Sequence, residues 1–184
     1  EAAAEGGASW LTIHARTKEQ GYKPPVFWKP IGEIREKLKL PVIANGDIWT
    51  FKDFLRCYEE TGCIHYMLGR SAFSNPVLVS KIQSYFKNPT EQSILSEPEL
   101  WQESKDWAAL FKDFDNTMLA MNYTATDNRL RRMKMWLGLI NYHRRLDWIP
   151  ELRRTGDLEE FFQLINKEPV IKADSPVEIT SSLM

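Results

Sequence analysis

The stretch PVIANGDI, residues 41–48, decides the fold of this chain. Its first four residues are apolar and predict a buried β-strand. Asn45-Gly46 after a strand is typical of a hairpin turn, but no second strand follows. The next residues have helical spacing instead, and Thr50 with Asp53 has the pattern of a capping box. The strand therefore leads into a helix, which indicates a βα unit.

Two more apolar strands, predicted over 10–14 and 63–68, lie on either side of this unit in the chain. A helix predicted over 27–39 separates the first two strands, and the helix from Thr50 separates the last two. This alternation predicts a parallel sheet, and uninterrupted apolar strands fit a sheet covered on its faces. The carboxyl ends of parallel strands meet at one edge, so the polar residues that follow them are expected together. These residues, called the rim below, are His14, Arg16, Asn45, Gly46, Asp47, Gly69 and Arg70.

The second half of the chain has helical spacing and no strand pattern. Four helices are expected there, at about 107–121, 130–140, 147–153 and 157–166. The fold class is therefore α/β plus all-α. We predict an α/β domain at 1–90, a separate helical bundle at 91–168 and a loose tail at 169–184.

Composition excludes several classes of protein. The chain has 24 basic and 25 acidic residues, so only a local basic patch can indicate a nucleic-acid partner. Its two cysteines, Cys57 and Cys63, do not form a disulfide framework, which favours a reducing cytoplasm. No apolar run is long enough to cross a bilayer, and no metal cluster, nucleophilic triad or phosphate-binding glycine motif is present. The opening EAAAEGGAS has the pattern of a helix end, so we expect a segment before it.

Each part of the rim has two interpretations. Gly69-Arg70 can bind a phosphate through close backbone approach and a guanidinium, or can be a simple turn. Asn45-Gly46-Asp47 can offer an amide and a carboxylate to a ligand such as a ribityl chain, or can be an ordinary βα turn. His14 can contact a ring carbonyl or a phosphate, or can be a hydrogen-bonded core histidine.

A second candidate site is the basic segment 129–154. Only Asp147 and Glu151 oppose its cations, and Trp136, Tyr142 and His143 lie among them. This mixture suits phosphate contacts and base stacking, but it also fits a solvated helix face. The basic residues are Arg129, Arg131, Arg132, Lys134, Arg144, Arg145, Arg153 and Arg154.

Three segments taken together resemble the tRNA-dihydrouridine synthases. They are LTIHARTKEQGY (11–22), LPVIANGDIW (40–49) and YMLGRSAFSNP (66–76). A fourth, RRMKMWLGLINY (131–142), is most similar to the bacterial C-type branch, which acts on U16 of tRNA. The resemblance implies the last three strands of an FMN-binding TIM (β/α)8 barrel, followed by a helical tRNA-binding domain. It also implies a cytoplasmic protein, monomeric when intact, with tRNA as partner and neither a metal nor a membrane involved.

The resemblance also assigns roles to individual residues. Gly69 and Arg70 match contacts to the FMN phosphate, and His14 matches a histidine beside the isoalloxazine ring. The family's contacts to the ribityl and phosphate region of FMN fall at Asn45, Gly46 and Asp47 of this sequence. Contacts to tRNA match Arg16, Lys18, Gln20 and Tyr22 on the first loop, and Arg132, Lys134 and Arg153 in the helical region.

The implied chemistry is reduction of a uridine. In the family, NADPH reduces FMN, which passes a hydride to C6 of a uracil flipped out of the tRNA, and a cysteine on an earlier barrel strand protonates C5. That cysteine is expected before Glu1, so the chain alone is expected to be inactive. The family usually has glycine where Ala15 stands, and His65-Tyr66 replaces a smaller, more acidic pair.

Two other functions are compatible with the sequence. One is a non-catalytic tRNA- or RNA-binding module that uses the basic segment. The other is a different FMN-dependent TIM-barrel oxidoreductase, which would share the phosphate-binding rim but not the basic helices. A partial barrel also has two open sheet edges, which predicts poor solubility or self-association.

Overall fold

The computed structural model describes residues 1–21, 23–88 and 104–167. Tyr22, most of the predicted linker and the predicted tail at 169–184 lie outside the described residues. The helices are α1 (Ala2–Glu5), α2 (Lys29–Lys37), α3 (Phe51–Thr61), α4 (Arg70–Ser74), α5 (Pro76–Lys87), α6 (Ser104–Ala120), α7 (Thr126–His143), α8 (Ile149–Leu152) and α9 (Leu158–Ile165). The strands are β1 (Leu11–His14), β2 (Val42–Asn45) and β3 (His65–Met67).

The three strands form one parallel sheet in the order β1-β2-β3. Its register places His14 beside Asn45, and Asn45 beside Met67. The prediction of parallel βαβ units is therefore confirmed, with strand limits that differ from the predicted ones by one or two residues. β3 begins at His65 rather than residue 63 because the Cys63 amide donates to Thr61 Oγ1 at 3.1 Å.

Helix α3 explains why Asn45-Gly46 does not form a hairpin. Asp53 donates its amide to Thr50 Oγ1 at 3.1 Å, and Thr50 donates its own amide to the Asp53 carboxylate at 2.9 Å. This capping box satisfies amides that have no partner within the helix. The helix ends at Gly62, which has the left-handed conformation (φ 61°). The predicted start of this helix at Thr50 is confirmed.

Helices cover one face of the sheet. The core between them contains Val42 and Ala44 from β2, Ile31 from α2, and Phe54 and Cys57 from α3. On the opposite face, Met67 is 49% exposed and both His14 and His65 are exposed. The sequence predicted a sheet covered on its faces. Among the described residues only the first face has a buried core, and the second face carries these exposed side chains.

Helices α6 to α9 share a second hydrophobic core. Its members include Trp107 and Phe111 from α6, Met133 and Leu137 from α7, and Phe161 from α9, all fully buried. The predicted helical spacing of these residues is confirmed. Met121 is the exception, because α6 ends at Ala120 and leaves its side chain 66% exposed.

This second core contacts the sheet region through α7 and α4. Trp136 donates from Nε1 to the Phe73 carbonyl at 2.9 Å, and Arg144 donates to the Ser74 carbonyl at 3.0 Å. Both carbonyls lie at the end of α4, where helical carbonyls lack partners within the helix. The helical region therefore has its own core but is hydrogen-bonded to α4, the short helix that Gly69 precedes and Arg70 begins.

Candidate functional site

The rim lines a small cleft at the carboxyl ends of the three strands. Its volume is about 200 Å³. Complete small-molecule sites are larger, roughly 300 to 1,000 Å³, so this cleft suits a phosphate or one part of a ligand. Six of the seven predicted rim residues meet there, and Arg16 is absent from the lining. The lining residues are His14, Asn45, Gly46, Asp47, Ile48, Trp49, Met67, Gly69, Arg70 and Ser71.

The turn at Gly46-Asp47 is held by its neighbours. Gly46 has φ 126° and Asp47 has φ 45°, both in the region that favours glycine. Trp28 donates from Nε1 to the Gly46 carbonyl at 2.8 Å. A Cβ at Gly46 would lie 3.0 Å from the Ala15 Cβ. Ala15, the departure from the family pattern, is therefore accommodated because residue 46 has no side chain.

A row of polar side chains crosses the three strand ends. His14 donates from Nδ1 to Asn45 Oδ1, and Asn45 donates from Nδ2 to the Met67 carbonyl at 3.0 Å. These bonds fix the orientation of the amide. In neutral His14 they leave Nε2 as the acceptor nitrogen.

Asp47 lies between two guanidinium groups. Its Oδ2 is paired with Arg16 Nη2, and its Oδ1 lies 3.9 Å from Arg70 Nη2. The Arg16 side chain is only 1% exposed, whereas that of Arg70 is 39% exposed. Two cations and one carboxylate give this cluster a net positive charge, which favours an anion such as phosphate.

Arg16 lies on the loop after β1, as predicted, but its side chain is buried. β1 ends at His14, so Arg16 lies two residues beyond the strand. Asp47 pairs with the buried Arg16 guanidinium, whose Nε has no hydrogen-bond partner in the described part of the chain. The Arg16 side chain therefore contacts the Asp47 carboxylate and does not reach solvent.

Trp49 was not predicted as a site residue, and His143 was predicted only as part of the basic segment. The Arg70 guanidinium carbon lies 5.3 Å from the centroid of the Trp49 ring, and the His143 imidazole stacks on Trp49 at 3.6 Å. Burial, and secondarily Arg70, lower the pKa of His143, while Asp47 opposes the shift. The signal for Trp49 was a large aromatic in the polar turn between β2 and α3. No local signal paired it with His143.

The other predicted RNA contacts have varied environments. Lys18 is exposed, and Gln20 accepts the Thr17 amide through Oε1 at 2.7 Å. Arg132 is exposed, with its guanidinium carbon 4.7 Å from the Tyr123 ring centroid. Arg153 is also exposed.

Three members of the predicted basic segment have structural partners. Arg129 is buried and bonded to Asp115 at 2.5 Å, because α6 and α7 enclose the pair. Lys134 is half-buried and donates to the Thr155 carbonyl at 2.5 Å. Arg144 donates to the α4 end, and burial lowers its pKa. The exposed cations of the segment are Arg131, Arg132, Arg145, Arg153 and Arg154.

Neither cysteine lines the cleft. Both are buried and free, and burial raises the pKa of Cys57 to about 12. Such burial does not suit a reactive thiol, which needs an exposed, electropositive environment. Within the described ranges no group of three or more candidate metal ligands comes together. The same ranges contain no helix with the length and apolarity needed to cross a membrane.

Comparison with known proteins gives a consistent result. The family model described as dihydrouridine synthase matches residues 1–159. A tRNA-dihydrouridine(16) synthase of Aquipseudomonas alcaligenes is 36% identical over 172 residues, covering 91% of this chain and 51% of the relative. The enzyme with the same name from Cupriavidus necator is 46% identical over 141 residues, covering 76% of this chain and 40% of the relative.

The chain spans about half the length of the curated relatives it matches. The family model covers the sheet, the rim and most of the four helices that follow. The resemblance drawn from the rim motifs is therefore confirmed, and the chain belongs to the dihydrouridine synthase family.

Proposed function

We propose that this chain carries the phosphate-binding rim and the RNA-facing helices of a tRNA-dihydrouridine synthase. The enzyme would use FMN, with NADPH as reductant, to reduce uridine 16 of tRNA to dihydrouridine. The sheet would be part of a TIM barrel, and α6 to α9 would form the tRNA-binding domain. The observation that carries the proposal is the cleft in which Asn45, Asp47, Gly69 and Arg70 meet.

The residues of the cleft fit the phosphate end of FMN. Arg70 supplies a partly exposed guanidinium, and Asp47 is already neutralised by Arg16. A Cβ at Gly69 would meet no atom within 4 Å, so there is open space at this point of the backbone. When bound, FMN would supply the hydride chemistry. Asn45 and His14 would contact the parts of the flavin beyond its phosphate.

The exposed face of α7 fits the tRNA side of the proposal. Arg132 offers a cation beside Tyr123, and Tyr142 is 77% exposed. Tyr142 contacts His143 edge-on at 4.6 Å, and His143 stacks on Trp49 in the cleft lining. An RNA lying on α7 would therefore be close to the cleft, which a flipped uridine must reach.

The first experiment tests the RNA surface. Affinity for a tRNA transcript with unmodified U16 is measured by fluorescence anisotropy across salt concentrations. Arg132→Ala is expected to weaken binding and to reduce the slope of log K against log salt by about 0.7 to 0.9, the value for one lost phosphate contact. Arg56→Ala is the matched control, because Arg56 is exposed on α3, away from α7. Equal affinities and slopes for the two variants would refute the assignment.

The second experiment tests catalysis. Neither Cys57 nor Cys63 lines the cleft, so we expect the 184-residue chain with FMN, NADPH and tRNA to produce no dihydrouridine. Measurable turnover, detected by mass spectrometry of the tRNA, would contradict this expectation.

A non-catalytic RNA-binding module is the second candidate. The five exposed arginines of the basic segment favour it, because they need no flavin to bind RNA. Binding of FMN separates the two functions: a module without a flavin site would bind tRNA but not FMN. The family match speaks against an unrelated FMN-dependent oxidoreductase.

A further inference from the structure

Trp49 lies where the rim meets the helical region. One side of its indole faces the Arg70 guanidinium, whose carbon is 5.3 Å from the ring centroid. The imidazole of His143, at the end of α7, stacks on the same indole at 3.6 Å with an interplanar angle of 28°. These three side chains come from different segments and meet at the indole ring of Trp49; they are called the stack below.

We propose that Trp49 is a positioning residue that holds the Arg70 guanidinium in place for a bound phosphate monoester, and that His143 braces Trp49 from α7. The inference rests on the proposed FMN site. It adds the residues that hold the Arg70 guanidinium in the position needed to bind the phosphate. Cations over an indole face are attracted by its π electrons.

Arg70 needs such a support because a competing anion is close. Asp47 Oδ1 lies 3.9 Å from Arg70 Nη2, near enough for the guanidinium to move onto the carboxylate. Arg16 already occupies Oδ2 of the same carboxylate. Contact with Trp49 keeps the Arg70 guanidinium partly exposed, where it can bind an anion. Positioning before binding reduces the entropy lost when the ligand arrives.

Two contacts hold Trp49 itself, one at its backbone and one at its ring. Its backbone amide donates to the Asp53 carboxylate at 3.2 Å, an extension of the capping box of α3. On the other side, His143 Nε2 is buried and has no hydrogen-bond partner among the described residues. The imidazole therefore acts on Trp49 mainly by stacking, which a phenyl ring can imitate.

The experiment compares FMN with riboflavin, which lacks only the phosphate. Affinities of the full 184-residue chain for both flavins are measured by quenching of flavin fluorescence. The wild-type chain is expected to prefer FMN by roughly 10- to 100-fold, the effect of a hydrogen bond to a charged group. Trp49→Leu is expected to reduce that preference by about 5- to 10-fold, the size of one cation–π contact, with FMN affinity falling more than riboflavin affinity.

Four further variants serve as controls. Trp49→Phe retains a π face and is expected to keep most of the FMN preference. His143→Phe retains the stack and is expected to behave like wild type, whereas His143→Leu is expected to lose part of the preference. Trp10→Leu removes a tryptophan that is 62% exposed and not part of the stack, and it is expected to change neither affinity.

The outcomes separate the two proposals. A FMN preference that survives in Trp49→Leu would overturn the role of Trp49 and leave the phosphate site intact. Equal losses of FMN and riboflavin affinity would also overturn it, because they indicate a general structural role. A wild-type chain without FMN preference, or without flavin binding, would overturn the phosphate site itself and the role of Trp49 with it.

Discussion

Replacement of Gly46 by alanine tests the geometry of the rim most directly. Gly46 has φ 126°, and a new Cβ would lie 3.0 Å from the Ala15 Cβ and 3.2 Å from the Ala15 amide nitrogen. A residue with a side chain in such a backbone conformation costs about 1 to 3 kcal/mol. Insertion of a methyl group into a packed site costs a further 1 to 3 kcal/mol or so. We expect Gly46→Ala to lower the free energy of unfolding by about 2 to 6 kcal/mol, a large part of the roughly 5 to 15 kcal/mol of a typical domain.

The assay is urea unfolding followed by circular dichroism. With a slope of roughly 2 kcal/mol per molar urea, the midpoint of Gly46→Ala should fall by about 1 to 3 M. Gly138→Ala is the matched control, because Gly138 lies within α7 and no atom outside its own helix would crowd a new Cβ there. That variant should be more stable by up to about 1 kcal/mol.

A second variant identifies the clashing atom. Ala15→Gly in the Gly46→Ala background removes the 3.0 Å contact but not the backbone strain, so part of the lost stability should return. A wild-type midpoint for Gly46→Ala would refute the reasoning about the turn. A double variant no more stable than Gly46→Ala would refute the contact with Ala15.

Three further predictions concern a buried ion pair, a helix cap and the titration of one histidine. Asp115→Ala leaves the buried Arg129 guanidinium without its anion and should cost about 3 to 5 kcal/mol in urea unfolding; a loss below about 1 kcal/mol would contradict the buried pair. Thr50→Ala removes the cap that bonds to the Asp53 amide and should cost about 1 kcal/mol, whereas an unchanged midpoint would show that the cap contributes nothing. The pKa of His143 is lowered in the folded chain. As the pH falls below about 6.5, the unfolded chain therefore binds a proton at His143 before the folded chain does. The free energy of unfolding should decrease over this pH range. His143→Phe should flatten this decrease when urea midpoints at about pH 5.5 and 7.5 are compared, and an unaltered pH dependence would argue against the stated environment of His143.

The sequence by itself determined the elements and their order. The capping box of Thr50 and the left-handed Gly62 involve residues within a few positions of each other, so the ends of α3 could be predicted without any long-range contact. The spacing of Leu130, Met133 and Leu137 likewise identified the buried face of α7. The rim followed from topology alone, because parallel strands place their carboxyl ends at one edge.

Only the tertiary structure decided which charges face solvent and which side chains meet. Arg16 and Arg129 are indistinguishable from surface arginines in the sequence, yet each is buried against a carboxylate from another segment. The contact between Trp49 and His143 arises because α7 packs on the end of α4, and no local pattern encodes that approach. Periodicity and capping act over a few residues and can be predicted. Burial of a charge depends on which distant group arrives to compensate it, and that is fixed only when the chain has folded.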